Sequence, residues 1–206
     1  MTIPDLSALK ANAQEVVRGV GREAIEVYLF LSDEFARGSV AQNCFFQFVY
    51  RSYYQLDSAG LTDEFKSAYF QCMEDARGSA ELDLAAIVTK LRSFPNRKGQ
   101  ASVQFSFASK LAHTVNPGYP VYDAQVAEYF RFRTPYSYKQ WDVRLQEYLD
   151  FYRQLRTFYE NAIDSGSLNE LTDLFKTVYS PVGCRLPEVK ILDFIFWSAG
   201  KAITSR

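Results

Sequence analysis

Apolar side chains recur every three or four positions along almost the whole chain, and no alternation of apolar and polar residues lasts for more than a few positions. This spacing is typical of amphipathic helices, so the sequence predicts an all-α protein. N-cap residues and glycines mark the helix boundaries, with Ser39, Thr62, Asp123, Ser137 and Ser167 as the predicted N-caps. The predicted helices span residues 5–18, 22–37, 40–57, 62–76, 81–93, 102–115, 124–132, 138–163, 168–179 and 188–202.

Two of these helices have the pattern of core elements. Helix 138–163 carries an apolar stripe at three- and four-residue steps, and helix 188–202 is apolar almost all round. The stripe consists of Tyr138, Trp141, Leu145, Tyr148, Tyr152, Leu155, Tyr159 and Ala162. No repeat or flexible linker interrupts the pattern, so we expect one compact multi-helix domain over residues 1–206, with a division into two lobes as the alternative.

Composition narrows the class of protein. The 206 residues are 48% apolar and include 17 Phe, 14 Tyr and 2 Trp, which excludes a disordered chain. No apolar stretch is long enough to span a bilayer, and the first residues lack the basic and apolar regions of a secretory signal. We therefore expect a cytoplasmic protein that does not act on membranes.

Cysteine and histidine are too few for several kinds of site. Cys44, Cys72 and Cys184 lie far apart and are odd in number, which argues against a disulfide framework and against zinc or iron–sulfur motifs. His113 is the only histidine, so a Ser-His-Asp triad or a histidine-rich metal site would depend on that single imidazole. Neither a metal nor a cofactor is expected.

The formal net charge of −1 conceals an uneven distribution. Between Lys90 and Arg144 the chain has nine basic residues against three acidic ones, a net of +6, and the remainder carries −7. A basic middle with acidic flanks is the pattern of a surface that faces nucleic acid, although solvated Lys and Arg residues can produce it by chance.

Two residues within this basic stretch are candidates for a catalytic role. Lys110 lies at the margin of the apolar row on helix 102–115, where it is either partly desolvated and nucleophilic or extended so that its ammonium reaches water. After a turn rich in proline, Asp123 opens the next helix, either as an ordinary N-cap or as a functional carboxylate.

The order of these features resembles the catalytic segment of the helix-hairpin-helix DNA glycosylase superfamily, in particular its 8-oxoguanine-DNA-glycosylase-like branch. Lys110 matches the lysine of that segment, and the run Pro120-Val121-Tyr122-Asp123-Ala124-Gln125-Val126 matches its aspartate motif with one extra residue. The segment is also similar to that of short bacterial members, some of them linked to defence against phages with hypermodified cytosines. One departure is that Gln100 to Ser109 contains no glycine, so the Gly-x-Gly hairpin that binds backbone phosphate is missing.

The resemblance implies a helix-hairpin-helix glycosylase fold and a monomer that excises a modified, flipped-out base from double-stranded DNA without a cofactor. Asp123 would stabilise the charge that develops on the sugar, and Lys110 would be either a Schiff-base nucleophile or a supporting residue. The residues expected to contact DNA are Arg92, Arg97, Lys98, His113, Arg131 and Arg133.

The base pocket is expected to draw on a polar row of helix 40–57 and on Tyr122. The row consists of Asn43, Gln47, Arg51 and Gln55. Its hydrogen-bonding capacity suggests a base with extra polar groups, such as glucosylated hydroxymethylcytosine. Each residue also has a plainer interpretation, since the row can face solvent, Tyr122 and His113 can lie in the core, and Tyr136 and Tyr138 can either pack or stack on nucleotides.

Two other functions remain open at this point. One is a catalytically silent domain that binds DNA or a partner protein, which the missing hairpin glycines favour. The other is a helical interaction protein in which Lys110 and Asp123 are only a surface residue and a cap.

Overall fold

A computed structural model describes residues 6–204, and within them every regular element is a helix. The prediction of an all-α protein is confirmed. None of the helices in this part of the chain combines the length and apolar character needed to cross a bilayer. The helices are α1 (Leu6–Ala11), α2 (Ala13–Arg18), α3 (Arg22–Arg37), α4 (Cys44–Tyr53), α5 (Asp63–Asp75), α6 (Leu84–Arg92), α7 (Phe105–Val115), α8 (Ala124–Tyr129), α9 (Trp141–Asp164), α10 (Asn169–Val178) and α11 (Glu188–Thr204), with a 3₁₀ turn at Val182–Arg185.

Several predicted helix boundaries were wrong. Helix α4 begins after Asn43, not after Ser39, because the Asn43 side chain accepts a hydrogen bond from the Phe46 backbone N–H (3.0 Å). Helix α9 follows Gln140 instead of Ser137, and α10 follows Leu168 instead of Ser167. Thr62 and Asp123 cap α5 and α8 as predicted, each by accepting from the backbone of its own helix.

The chain divides into two compact units. The central unit runs from Val27 to Pro117, and the terminal unit combines the residues up to Glu26 with those from Gly118 onward. Helix α3 starts in the terminal unit and continues into the central one.

The central unit has an aromatic core on α4, α5 and α7. Tyr50 and Tyr69 are completely buried, and their hydroxyls lie 2.9 Å apart. The Tyr69 hydroxyl also donates to the Phe107 carbonyl (2.9 Å), so this pair of buried phenols is hydrogen-bonded within the core. Apolar residues that surround the pair include Phe46, Leu56, Phe65, Phe70, Met73, Leu91 and Leu111.

The terminal unit is built on α9 and α11, the two helices predicted to be core elements. The stripe from Leu145 to Ala162 is buried as expected, whereas Tyr138 precedes the helix and is 81% exposed. Helix α11 lies tightly against α8, because a Cβ built on Gly200 would come within 1.9 Å of the Gln125 carbonyl oxygen. Only a glycine allows this approach. Helix α8, which Asp123 opens, is thereby fixed to the core of the unit.

Candidate functional site

The Asp123 carboxylate is hydrogen-bonded to the first turn of α8, the helix that follows it. Its Oδ1 accepts hydrogen bonds from the backbone N–H groups of Gln125 (2.9 Å) and Val126 (3.0 Å), and the residue is half-buried. Among residues 6–204 these are the hydrogen bonds that the Asp123 carboxylate makes, and both go to the same oxygen. The second oxygen, Oδ2, makes no hydrogen bond to these residues.

The segment that leads into Asp123 is anchored to the core at two points. The Val121 backbone N–H donates to Asp193 Oδ1 (3.0 Å), and the Tyr152 hydroxyl donates to the Pro120 carbonyl (2.7 Å). Both partners come from buried positions of α11 and α9. The position of Asp123 therefore depends on two buried polar side chains that lie far from it in sequence.

Lys190 and Asp193 form a buried charged pair behind this segment. Burial lowers the pKa of Lys190, and the nearby carboxylates of Asp193 and Asp123 oppose that shift. Burial raises the pKa of Asp193 to about 7, although the Lys190 ammonium acts in the opposite direction. Of the three interacting charged groups of Asp123, Lys190 and Asp193, Asp123 is the most exposed to solvent.

Sequence reasoning did not identify this pair as part of a site. Lys190 and Asp193 are three residues apart on a helix that is apolar over most of its length, and that spacing places their side chains on one face. Charged residues on a helix that is apolar almost all round were the available signal, because an unsatisfied charge is not tolerated in such a position.

Lys110, in the central unit, packs on aromatic rings. It is half-buried on α7, and its Nζ donates to Ser106 Oγ (3.1 Å). The same Nζ lies 5.2 Å from the centroid of the Phe107 ring and 5.6 Å from that of Tyr54. These distances are typical of cation–π contacts. Lys110 therefore lies at the margin of the apolar row, as predicted, with its ammonium near the rings of Phe107 and Tyr54.

His113 is a core residue, so its predicted contact with DNA is wrong. Its side chain is completely buried, and Nε2 lies 3.0 Å from the Tyr28 hydroxyl. The alternative of a satisfied core imidazole is the correct one. A small cleft of about 10 Å³, with room for about one water molecule, adjoins this pair in the central unit. It is lined by Tyr28, Leu31, Ser32, Tyr54, His113, Thr114 and Pro117.

The predicted polar row of the base pocket does not form one helical stripe. Asn43 caps α4, and the Gln47 amide donates to the carbonyls of Val40 (2.9 Å) and Ala41 (2.8 Å). Both side chains are therefore hydrogen-bonded to nearby backbone groups. Arg51 lies on the helix with its Nε 3.5 Å from Asp57 Oδ2. Gln55 lies beyond the end of the helix with a φ of 60°.

Tyr122 does not offer a ring to a base, and that prediction is also wrong. It is 5% exposed. Its ring makes edge-to-face contacts with Tyr148 and Phe151, at centroid distances of 5.5 and 5.8 Å. These contacts place it in the aromatic core of the terminal unit.

The five predicted basic contacts are all exposed. Arg92, Arg97 and Lys98 belong to the central unit, and Arg131 and Arg133 to the terminal unit. Arg97 and Lys98 occupy the tip of a tight turn, in which the Asn96 side chain accepts from the backbone N–H of Lys98 (2.9 Å). This turn precedes α7 and presents two cations, although it lacks the expected Gly-x-Gly sequence. Contact with DNA stays a prediction for all five.

The chain matches no protein-family model, and neither the curated proteins nor the solved structures give a significant match. The resemblance to DNA glycosylases therefore rests on the residues of the Lys110–Val126 segment. Within residues 6–204, no three His, Cys, Asp or Glu side chains gather as a metal ion would need.

Proposed function

We propose that the protein is a DNA glycosylase that excises a modified base and acts as a monomer in the cytoplasm. The observation that carries the proposal is the state of Asp123, a half-buried carboxylate with one oxygen fixed by two backbone N–H groups and the other without a hydrogen bond to residues 6–204. Asp83 caps α6 through one oxygen in the same manner, so what distinguishes Asp123 is the anchoring of the segment before it. The anchored segment and the buried Lys190–Asp193 pair behind it favour a carboxylate held in place for chemistry.

The proposed reaction is hydrolysis of the N-glycosidic bond. As the bond to the base breaks, positive charge develops at C1′ of the sugar, and an ionised Asp123 stabilises that charge or takes a proton from the attacking water. The water oxygen then bonds to C1′, and the base leaves with a proton. The product is an abasic site.

Lys110 has a second proposed role in this scheme. Its amine either attacks C1′ and forms a Schiff base, which permits strand nicking, or supports the site without covalent chemistry. Contact with the rings of Tyr54 and Phe107 limits the motion of the ammonium in both cases.

The proposed substrate class is a modified base in duplex DNA. Glucosylated hydroxymethylcytosine remains a specific candidate through the resemblance to phage-defence chains. The polar row no longer supports it, since Asn43 and Gln47 are engaged with backbone groups.

The decisive experiment compares DNA substrates with and without base modification. The protein is incubated with phage DNA that carries glucosylated cytosine, with the same DNA unmodified, and with 8-oxoguanine and uracil duplexes, and alkali then reveals abasic sites. We expect abasic sites in the glucosylated DNA. Equal or greater activity on 8-oxoguanine or uracil duplexes would indicate ordinary base repair, and no abasic sites in any substrate would contradict the glycosylase.

Asp123→Asn tests the carboxylate itself. We expect excision to fall by about 100-fold or more, because the charge is lost while the amide oxygen still caps α8. The matched control is Asp83→Asn, since Asp83 caps α6 in the same way, accepting from the Ala86 N–H (3.0 Å). That control should retain activity. Wild-type turnover in Asp123→Asn would remove Asp123 from the mechanism.

Borohydride trapping tests Lys110. If Lys110 is the nucleophile, borohydride yields a covalent protein–DNA adduct that Lys110→Ala loses. Lys90→Ala is the control, since Lys90 belongs to the same unit and pairs with Asp75 at the surface (3.1 Å). Abasic DNA without an adduct would make the enzyme monofunctional.

The alternative proposal is a catalytically silent domain that binds DNA. The absence of glycine from Gln100 to Ser109 favours it, because the usual hairpin contact to phosphate is missing. Binding that weakens with salt, together with no abasic sites in any of the DNA substrates, would select this alternative.

A further inference from the structure

Two tyrosines of the terminal unit are unusually exposed for aromatic residues. Tyr136 is 58% and Tyr138 is 81% exposed, and they lie in the connection between α8 and α9. Their rings stack on each other with centroids 5.3 Å apart and an angle of 11° between the planes. A stacked pair at the surface presents a flat aromatic face to whatever approaches it.

The same connection is rich in positive charge. Between Phe130 and Trp141 the chain has three basic residues and no carboxylate. Lys139 is engaged with Glu147 (2.5 Å). Arg131 and Arg133 are exposed, and neither side chain has a hydrogen bond or an ion pair to any of the described residues.

The backbone at Arg131 has a conformation that glycine usually adopts. Helix α8 ends in a Schellman motif, in which the Phe132 N–H donates to the Ala127 carbonyl (2.8 Å) and the Arg131 N–H to the Glu128 carbonyl (3.0 Å). Arg131 occupies the left-handed position of the motif with a φ of 52°. An arginine there is less stable than a glycine, so its presence calls for another explanation.

The residues between the cations fix the loop to the unit. The Phe132 ring stacks on Phe151 with centroids 4.2 Å apart, and Pro135 is buried. Arg131 and Arg133 flank Phe132, so both guanidinium groups start from an anchored backbone. The loop thus displays two arginines and two stacked rings from a fixed base.

We propose that this arginine–tyrosine loop, residues 131–138, binds single-stranded DNA. Bases stack on exposed aromatic rings only when their faces are free, as they are in a single strand, and arginines neutralise the phosphates between them. The choice of DNA rests on the proposed function. Arg131 follows Asp123 by eight residues across helix α8, so the loop begins about 12 Å from Asp123 at 1.5 Å per residue. The loop therefore suits the strand that flanks an unstacked nucleotide.

The first test measures the affinity of the full-length protein for a fluorescent, unmodified oligo(dT) by anisotropy at several salt concentrations. We expect the double variant Tyr136→Ser, Tyr138→Ser to bind about 10-fold more weakly or worse. The matched control is Phe45→Ser, Phe48→Ser, since these phenylalanines of α4 are about as exposed but lie outside the loop. The control should bind as the wild type does. Equal loss in both double variants, or in neither, would overturn the proposal.

The second test separates binding from folding. Arg131→Gly should raise the melting temperature by about 2–4 °C, because glycine adopts the left-handed conformation without strain. It should also weaken oligo(dT) binding and make the salt dependence shallower by about one ion. Gln55→Gly is the control, since Gln55 occupies the same position of a Schellman motif at the end of α4, with a φ of 60°. It should leave binding unchanged.

Oligo(dT) contains no base to excise, so this test does not depend on the proposed glycosylase activity. If the oligonucleotide binds through the loop while every excision assay is negative, the DNA-binding loop is supported and the proposed glycosylase activity is contradicted. If the wild-type protein excises a base but the tyrosine double variant binds oligo(dT) as the wild type does, the glycosylase is supported and the DNA-binding loop is contradicted. Tighter binding of oligo(U), or of anionic lipid vesicles, would assign the loop to another partner and overturn the proposal.

Discussion

The interior of the central unit holds neutral polar groups, whereas that of the terminal unit holds a lysine and an aspartate. In the central unit, Tyr50 and Tyr69 bond to each other and His113 to Tyr28. Its one buried lysine, Lys66, reaches exposed carboxylates at the surface. In the terminal unit, Lys190 and Asp193 are both buried, and Asp193 binds the Val121 N–H.

The difference indicates that the buried charges of the terminal unit are present for a reason other than stability. Buried hydroxyls that are hydrogen-bonded contribute a little stability and complete a core. A buried charged pair is often less stable than apolar residues of similar volume, so it is weak evidence for a stabilising role. The charge of Asp123 influences the pKa values of both Lys190 and Asp193. Groups with shifted pKa values are common at functional sites.

The largest expected effect is that of Asp193→Ala. At pH 8, above the raised pKa of Asp193, the substitution leaves the Lys190 ammonium without its buried counter-charge and the Val121 N–H without its acceptor. We therefore expect a loss of about 3–5 kcal/mol in the free energy of unfolding at that pH. Urea denaturation followed by circular dichroism measures it. The double variant Lys190→Met, Asp193→Leu should lose less than the single one. A double variant that is as unstable as Asp193→Ala would remove the contrast between the two interiors.

A smaller effect is expected from Tyr69→Phe in the central unit. The loss of its hydroxyl leaves the Phe107 carbonyl and the Tyr50 hydroxyl each with one partner fewer, at a cost of about 1–3 kcal/mol. Tyr138→Phe is the control, since Tyr138 is exposed, and it should change stability by less than about 0.5 kcal/mol. The same urea titration compares them. If Tyr69→Phe matched Asp193→Ala, neutral and charged interiors would not differ in this protein.

The smallest expected effect is on the pH dependence of stability. Burial raises the pKa of Asp193 from 3.8 to about 7, so the folded state retains a proton that the unfolded chain releases. The contribution of Asp193 is present in full below its unfolded pKa and is lost as the pH rises toward 7. Glu74, in the central unit, has the opposite behaviour. Its hydrogen bonds from Arg77 lower the pKa from 4.5 to about 2, so its contribution is lost as the pH falls from 4.5 toward 2.

Two variants separate these opposing contributions. Asp193→Asn should remove part of the fall in stability between about pH 4 and 7, and Glu74→Gln should reduce the loss below about pH 4.5. Unfolding free energies measured from pH 3 to 8 provide the comparison. An unchanged pH profile in Asp193→Asn would show that the Asp193 carboxyl titrates normally in the folded protein.

Much of the local structure could be predicted from the sequence. Helix α3 has the predicted bounds 22–37, and Thr62 and Asp123 are the N-caps that their residue types indicate. The prediction of 40–57 was too long at both ends. The Asn43 cap and the left-handed Gln55 each depend on a local choice among several residues able to cap or end a helix.

The candidate site was less predictable than the helices. Lys110 at an apolar margin and Asp123 at a helix start follow from spacing, because both are local properties of one helix. Tyr122 and His113 were placed on the functional surface, but partners from distant parts of the chain bury them. The Tyr148 ring covers Tyr122, and the Tyr28 hydroxyl bonds to His113.

The sequence by itself determined the helical class, most helix positions and the capping role of Asp123, because these depend on residues within four positions of one another. Only the tertiary structure decided which polar residues are buried and with what. Lys190 and Asp193 are charged residues on an apolar helix until α11 packs and Val121 is brought to Asp193 from 72 positions away. Burial depends on such distant partners, and it converts an ordinary carboxyl into one with a raised pKa.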